Sequence, residues 1–287
     1  MQISAALVPL HDPVRLAEQL ATIDCLAPGR ISVVCGAGYR QTEFDMAGID
    51  RSERGARLEE CVRVLRAAWK GEPFEWRGRE VQVTPVPPTP GGPGLFVGGK
   101  TRAGARRAAR LGCGFSPAVT EPDVIAAYFE ECARLGFDAP EVYGATSFEA
   151  YLEGQEIGGT GAPGFVMVSR DPDATWREIG PYAEYDAVTY AAWQEDGVVS
   201  SWAVPDAVTW EHLRESGRFA VVTPDECVAL AERDGQLMLH PLMGGLEPQL
   251  AWEGLRLFEE AVLPRLSLAL GASGLEPSGG ESQPNRE

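Results

Sequence analysis

The sequence predicts an α/β chain built on parallel strands, either an open sheet or a (β/α) barrel. Short apolar runs alternate with helix-period segments along most of the 287 residues. Two of those runs end in bare glycine, at Gly36-Ala37-Gly38 and at Gly98-Gly99. Helix-opening signals then follow the runs: Asp12-Pro13, Asp171-Pro172 and Thr223-Pro224-Asp225-Glu226 each set a capping residue before a proline at the first helical position.

The elements follow in order. Ile3 to Val8 reads as a strand stopped by Pro9, and Leu16, Leu20 and Ile23 recur at helical spacing up to Pro28-Gly29. Ile31 to Cys35 is the next strand; it runs into the glycines and then a polar loop. Leu58, Val62, Leu65 and Trp69 mark an amphipathic helix closed by Gly71. Residues 74–83 read as a hairpin around Gly78, and the prolines from Pro85 to Pro93 forbid regular structure after it. Leu95 to Val97 is a buried-type strand followed by a helix from Ala103 to Leu111. Phe115 lies in a short strand, and Val124 to Leu135 is helical. Residues 137–162 read as an insertion or lid-like loop. Phe165 to Val168 is a strand, followed by a helix toward Trp193 and a loop over 195–206. The last strand is expected at Leu237 to His240 and the closing helix at Leu250 to Leu266. Strand positions are therefore expected near 3–8, 31–35, 95–98, 113–116, 165–168 and 237–240, within one domain over 1–270 and a disordered tail over 271–287.

Composition bounds the function. Lys plus Arg number 25 against 42 Asp plus Glu, a net charge of −17. Nucleic acid and anionic membrane repel such a chain, so neither is an expected partner. No apolar run approaches a membrane span, and no signal peptide opens the chain. None of the six cysteines forms a Cys-x-x-Cys pair, and the three histidines are scattered, so no metal site is expected. Cys25, Cys61, Cys132 and Cys227 fall in helical patterns, as small buried hydrophobes do. These features together point to a reducing compartment, the cytoplasm.

The site is expected at the carboxyl ends of the strands. Gly98-Gly99-Lys100-Thr101 lies between a strand and a helix N-terminus, where unpaired N–H groups and the helix dipole favour an anion. It reads either as a phosphate cradle or as a tight turn with Thr101 as cap. Counted from Gly94, the letters also match a Walker A loop, but the strand fills the variable positions, so the match is accidental. Gly36-Ala37-Gly38 lacks the third glycine of a dinucleotide fingerprint and reads better as a strand end kept bare for a flat ligand. Cys35 either faces that ligand or packs in the core. His240 ends the last strand and reads as a weak candidate for acid–base work or as a hydrogen-bonded rim histidine; His11, after Pro9 and before a helix cap, reads as a weak candidate at the rim of the site or simply as a cap of the turn. Tyr182, Tyr185, Tyr190 and Trp193 form a stripe of the core or interface type. No nucleophile elbow exists.

These residues carry a resemblance. Asp12-Pro-Val-Arg-Leu-Ala-Glu-Gln-Leu-Ala-Thr-Ile-Asp through Gly29-Arg30, then Gly36-Ala-Gly-Tyr-Arg-Gln-Thr-Glu-Phe44, resembles the bacterial luciferase-like flavin-dependent oxidoreductases. Arg54-x-x-Arg57-Leu-x-Glu, Trp69-x-Gly71-Glu-Pro, Leu95-Phe-Val-Gly-Gly99 with Arg106-Arg-Ala-Ala-Arg-Leu-Gly112, and Pro241-Leu-Met-Gly-Gly are similar to it as well. The resemblance spans about residues 2–266.

It implies a TIM-type (β/α)8 barrel of the luciferase-like type, with about six of the eight strands present and the N-terminal part lacking. On this expectation the chain starts at an internal methionine of a longer protein; the alternative is a divergent member that closes otherwise. The cofactor implied is FMN or the deazaflavin coenzyme F420. Gly98, Gly99, Lys100, Thr101 and Gly104 are implied to hold its phosphate, and Gly36, Ala37 and Gly38 to lie along the flavin. Ser4-Ala5 resembles the family's bulged strand, often with a non-prolyl cis peptide, that supports the ring. Members related to luciferase itself carry a reactive cysteine and an arginine where this chain has Gly36 and Ala37, and Lys100 is expected to compensate for that lost charge. The resemblance further implies a monooxygenase or other oxidoreductase acting on a small organic substrate, a flavin reductase as partner, and a homodimer. The alternative is a truncated non-catalytic subunit. A phosphate-binding isomerase would need a general base at a strand end, and none is identifiable.

Overall fold

A computed structural model describes residues 1–118, 121–136, 138, 165–193, 209–217, 219–235 and 237–266. Contacts divide the chain into two units, Met1–Glu156 and Ile157–Glu287. The expected insertion over 137–162, apart from Asp138, lies outside the described residues, as do the loop over 195–206 and the tail over 271–287.

Unit 1 is a four-stranded sheet with helices. Its strands β1 (Gln2–Leu7), β2 (Ser32–Gly36), β5 (Gly94–Gly99) and β6 (Gly114–Pro117) lie side by side in that order, all parallel. Between them run α1 (Pro13–Leu26), α2 (Gln41–Ala47), α3 (Arg54–Ala68) and α4 (Arg102–Arg110), and α5 (Pro122–Leu135) follows the last strand. Asp12 starts α1 as its composition predicts: Oδ1 accepts from the N–H of Val14 at 2.9 Å and of Arg15 at 3.0 Å. The hairpin β3 (Phe74–Trp76) and β4 (Arg79–Val81) pairs antiparallel around Arg77-Gly78, both at positive φ (49° and 70°).

Strand side chains alternate between faces. Val33, Cys35, Val97 and Phe115 point into the helix layer and form one core with Leu16, Leu20, Leu58, Val62, Leu65, Ala105, Ile125 and Tyr128. Each such aliphatic side chain contributes about 1.5–3 kcal/mol by leaving water. The proline-rich connection before β5 is held to that core. Buried Asp24 accepts from the Thr89 N–H at 2.9 Å and hydroxyl at 2.6 Å, and Trp69 Nε1 donates to the Ala17 carbonyl at 3.1 Å.

In unit 2, β7 (Phe165–Val168) pairs in parallel with β8 (Phe219–Val222). Around them lie α6 (Pro172–Ala192), α7 (Trp210–Ser216), α8 (Pro224–Asp234) and α9 (Pro248–Ala261). The unit keeps its own cores, one centred on Trp176, Ile179, Ala183, Leu213 and Phe219, the other on Val166, Val168, Cys227 and Leu257.

The expected elements are largely present, with four differences. Strand β8 and helix α7 were not anticipated. The strand expected at 237–240 reduces to a single parallel bridge, Leu239 to Val166. Helix α2 stands where a loop was expected after Gly38. Among single residues, Cys25 is exposed rather than buried; of the stripe read as core or interface, Tyr182 packs on a core of unit 2 while Tyr185 is 63% exposed. No described helix is long and apolar enough to cross a membrane.

Candidate functional site

The carboxyl edge of the unit 1 sheet is built from small residues because three strands meet there closely. Strand β1 has a cis peptide at Ser4–Ala5 and a register shift between Ser4 and Ala6. Bulges of this kind re-aim the strand. Here Ala5 and Leu7 come up against Gly36: a Cβ on Gly36 would lie 3.3 Å from the Ala5 Cβ and 3.2 Å from Leu7 Cδ2. A Cβ on Gly98 would lie 3.0 Å from Val34 Cγ1 and 4.0 Å from the Gly36 Cα. Since Val33 and Cys35 face the helices, Val34, Gly36 and Gly98 lie on the opposite face. Ala5, Gly36 and Gly98 thus form a shelf of small residues across three strands, exposed at Ala5, half-buried at Gly98 and buried at Gly36, against which Leu7 packs. Gly38, at φ +75°, turns the chain away so that buried Phe44 can pack beneath it.

The shelf continues into the N-terminus of α4. The Thr101 hydroxyl accepts from the Gly104 N–H at 3.1 Å, so Thr101 is the helix cap. Arg102 and Ala103 N–H carry no bond to a described residue. Gly99 and Gly104 approach closely: a Cβ on Gly99 would meet the Gly104 Cα at 3.7 Å. Half-buried Lys100 has no ion-pair partner among the described residues, whereas Arg102 and Arg107 of the same helix pair with Asp123 and Glu59. Lys100 and the Arg102 and Ala103 N–H groups, unpaired among the described residues, could hold a phosphate whose attached ring lies along the shelf.

Cys35 does not reach that shelf. It is fully buried, and burial pushes its thiol well above the ordinary range. Exposed His11 instead lines a cavity of about 220 Å³ with Asp12, Arg57, Glu60, Trp76 and Arg77. Arg77 grips both oxygens of Glu60, at 2.9 and 2.8 Å, and Trp76 Nε1 donates to it at 2.9 Å. The Arg77 bonds hold the Glu60 carboxyl below its usual range. No shelf glycine lines this cavity. The sequence reading missed the cluster, whose signal was the Arg77-Gly78 turn.

His240 lies in unit 2. Its Nε2 is 2.7 Å from Oδ2 of Asp186, on α6, and its ring stacks on Phe165 with centroids 4.2 Å apart. Asp186 was missed because 54 residues separate the pair and no local pattern joins them. Among the described residues, no group of three or more His, Cys, Asp or Glu is placed to hold a metal.

Comparison with known proteins bears on this arrangement. A family profile described as luciferase-like monooxygenase matches residues 2–215. The FMNH2-dependent dimethylsulfone monooxygenase of Pseudomonas fluorescens is 37% identical over 118 residues, which is 39% of this chain and 32% of that enzyme. The chain therefore matches about a third of that relative's length. The F420-dependent glucose-6-phosphate dehydrogenase of Mycobacterium leprae is 27% identical over 277 residues, 89% of this chain and 75% of that one. Among solved structures, monooxygenase RslO1 from Streptomyces bottropensis superposes with a TM-score of 0.58 at 22% identity, covering 92% of this chain and 78% of its own. That likeness shows the fold.

Proposed function

The chain belongs to the luciferase-like monooxygenase family, and we propose that it is a flavin-dependent oxidoreductase holding FMN or F420 on the unit 1 shelf. The observation that carries this reading is the row of small residues from Ala5 through Gly36 to Gly98, leading to the N-terminus of α4, where the Arg102 and Ala103 N–H groups carry no bond to a described residue.

Each residue has a distinct task. Ser4 and Ala5 form the bulge under the ring, and Gly36, Ala37 and Gly38 leave the main chain open along it. Gly98 and Gly99 let the backbone approach the phosphate, and Gly104 keeps the first turn of α4 close behind them. The Arg102 and Ala103 N–H groups donate to the phosphate, aided by the helix dipole. Thr101 fixes the turn as cap, and Lys100 supplies the positive charge that Gly36 and Ala37 do not. When bound, the cofactor supplies hydride transfer or oxygen activation; the protein binds, orients and shields it. No side chain at the shelf is a general acid or base; of the acid–base candidates, His11 lines the cavity with Glu60 and Arg77, and His240 belongs to unit 2. Support for FMN comes from the dimethylsulfone monooxygenase likeness, and support for F420 from the glucose-6-phosphate dehydrogenase likeness. On the FMN reading a flavin reductase delivers the reduced cofactor to a soluble homodimer acting on a small organic substrate in the cytoplasm. The alternative reading is a non-catalytic subunit, which would bind neither cofactor.

Fluorescence titration of FMN and F420 separates the readings. Saturable binding of either, weakened by roughly tenfold in Lys100→Ala, is the expected result, since a charge-assisted bond contributes about 1.5–3 kcal/mol. Unchanged affinity in Lys100→Ala removes the lysine from the site. Binding of neither cofactor by the unaltered chain at millimolar concentration supports the non-catalytic subunit.

A further inference from the structure

Helix α4 has little side-chain relief to hold it in place. The face it buries consists of Gly104, Ala105, Ala108 and Ala109. Near its N-terminus the contact with β5 is glycine on glycine: a Cβ on Gly104 would lie 3.8 Å from the Gly99 Cα. Such a face packs closely but sets no large side chain into a neighbouring groove. The flanks of the helix are polar instead. Toward α5, Arg102 lies 3.8 Å from exposed Asp123, and Arg110 lies 3.7 Å from Glu131, which Arg134 already grips at 2.9 Å on both oxygens. Toward α3, Arg107 Nε donates to Glu59 Oε1 at 2.9 Å, with the two side chains only 25% and 30% exposed. Among the described residues this is the one ion pair of hydrogen-bond length that leaves α4. Gly55, one turn before Glu59 on α3, makes room for it: a Cβ there would lie 2.7 Å from Arg107 Nη2 and 3.2 Å from its Cζ.

We propose that Glu59, Arg107 and Gly55 are positioning residues for the phosphate grip: the ion pair, seated in the Gly55 notch, sets how α4 lies against α3 and so where the Arg102 and Ala103 N–H groups point. The inference rests on reading the shelf and the α4 N-terminus as a flavin site. A short helix moves as a stiff unit, and Arg107 lies about 7.5 Å along its axis from Arg102 at the usual rise. A tilt at the clamp is therefore carried to the first turn. The donors there act only over hydrogen-bond distances, and the dipole acts only within that turn, so a small tilt weakens the grip. The long pairs toward α5 constrain the helix little, whereas the short, half-buried pair toward α3 is directional. A tie that merely stabilised the fold would not distinguish a ligand with a phosphate from one without it. Charge gives a further distinction. Glu59→Gln removes a negative charge beside α4, which by field alone strengthens the binding of an anion. Lost positioning weakens it. Gly55→Ala changes no charge, suits a helix, and displaces only the far end of a flexible side chain, so the fold is kept.

Fluorescence titration of the full chain, of Glu59→Gln and of Gly55→Ala tests this, with FMN, F420, riboflavin and the dephosphorylated deazaflavin as ligands. Both variants are expected to bind the phosphate-bearing cofactor at least about threefold more weakly and its phosphate-free form as the unaltered chain does. In the free proteins, the Arg102 and Ala103 amide signals in proton–nitrogen NMR are expected to shift in both variants. An unchanged ratio between the two forms of the cofactor overturns the proposal. So does an equal loss of both forms, which is the mark of a purely structural tie, or tighter phosphate-dependent binding in Glu59→Gln, which is the mark of the field alone. If the unaltered chain binds neither cofactor, the flavin reading fails by itself and the amide signals decide: shifted amides support the clamp as what sets the first turn of α4, and unmoved amides overturn it.

Discussion

At the scale of single residues, glycine and cysteine positions divide sharply in how readable they are. Gly36 and Gly98 announce themselves because each ends an apolar run, and both lie where a Cβ would press on a neighbouring strand. Cys25 and Cys61 occupy similar helical patterns, yet one is exposed and the other buried. Local periodicity does not say which helix face meets a second helix. The buried thiols have a consequence at alkaline pH. Burial, then the Glu60 and Asp12 charges, pushes the Cys61 thiol up to about 12 from an ordinary 9.0. Burial raises Cys35 further. Above pH 9 the unfolded chain loses these protons and the native chain keeps them, so the unfolded state binds fewer protons and stability falls as pH rises. Full stability below about pH 9 and a loss of roughly 1 kcal/mol per thiol by pH 10 are expected. Urea midpoints measured at pH 8 and pH 10 check this; equal midpoints would contradict it.

At the scale of elements, signals in the chain itself predict helices better than they predict short strands. The α8 capping box, Thr223 with Glu226, is written in sequence and present in the fold. Helix α7 has only seven residues and owes its place to packing. Trp210 seats on Gly180, where a Cβ would come within 2.6 Å, and stacks near Trp176 at 6.1 Å. Both contacts are distant in sequence. Phe219 to Val222 forms β8, while the equally apolar Leu237 to His240 makes one bridge. A four-residue apolar run does not reveal whether a partner strand is within reach. The proline-rich connection before β5 depends on one buried carboxylate. Asp24→Ala leaves the Thr89 N–H and hydroxyl without their acceptor and is expected to cost about 2–4 kcal/mol. Asp24→Asn, which keeps an acceptor oxygen, should cost less. Urea unfolding of the two variants checks this, and equal losses would show that the hydrogen bonds are not what holds the connection.

At the scale of the whole molecule, the parallel α/β plan was legible because glycine-ended strands and capped helices recur together over most of the chain, and the luciferase-like family was legible only through the resemblance of segments such as Gly36 to Phe44 and Leu95 to Gly99. Pairings between separate elements were not. Asp186 and the Glu60–Arg77 grip arise from contacts between separate elements. The proposed function is that the shelf and the α4 N-terminus together hold a phosphate-bearing flavin. Its most direct test is the affinity of the full chain for FMN and F420 measured against their phosphate-free counterparts, riboflavin and the dephosphorylated deazaflavin. If the α4 N-terminus and Lys100 grip the phosphate, one of the two cofactors binds and its phosphate-free form binds at least about tenfold more weakly. Equal affinity with and without the phosphate, or no binding of either cofactor, would contradict the account.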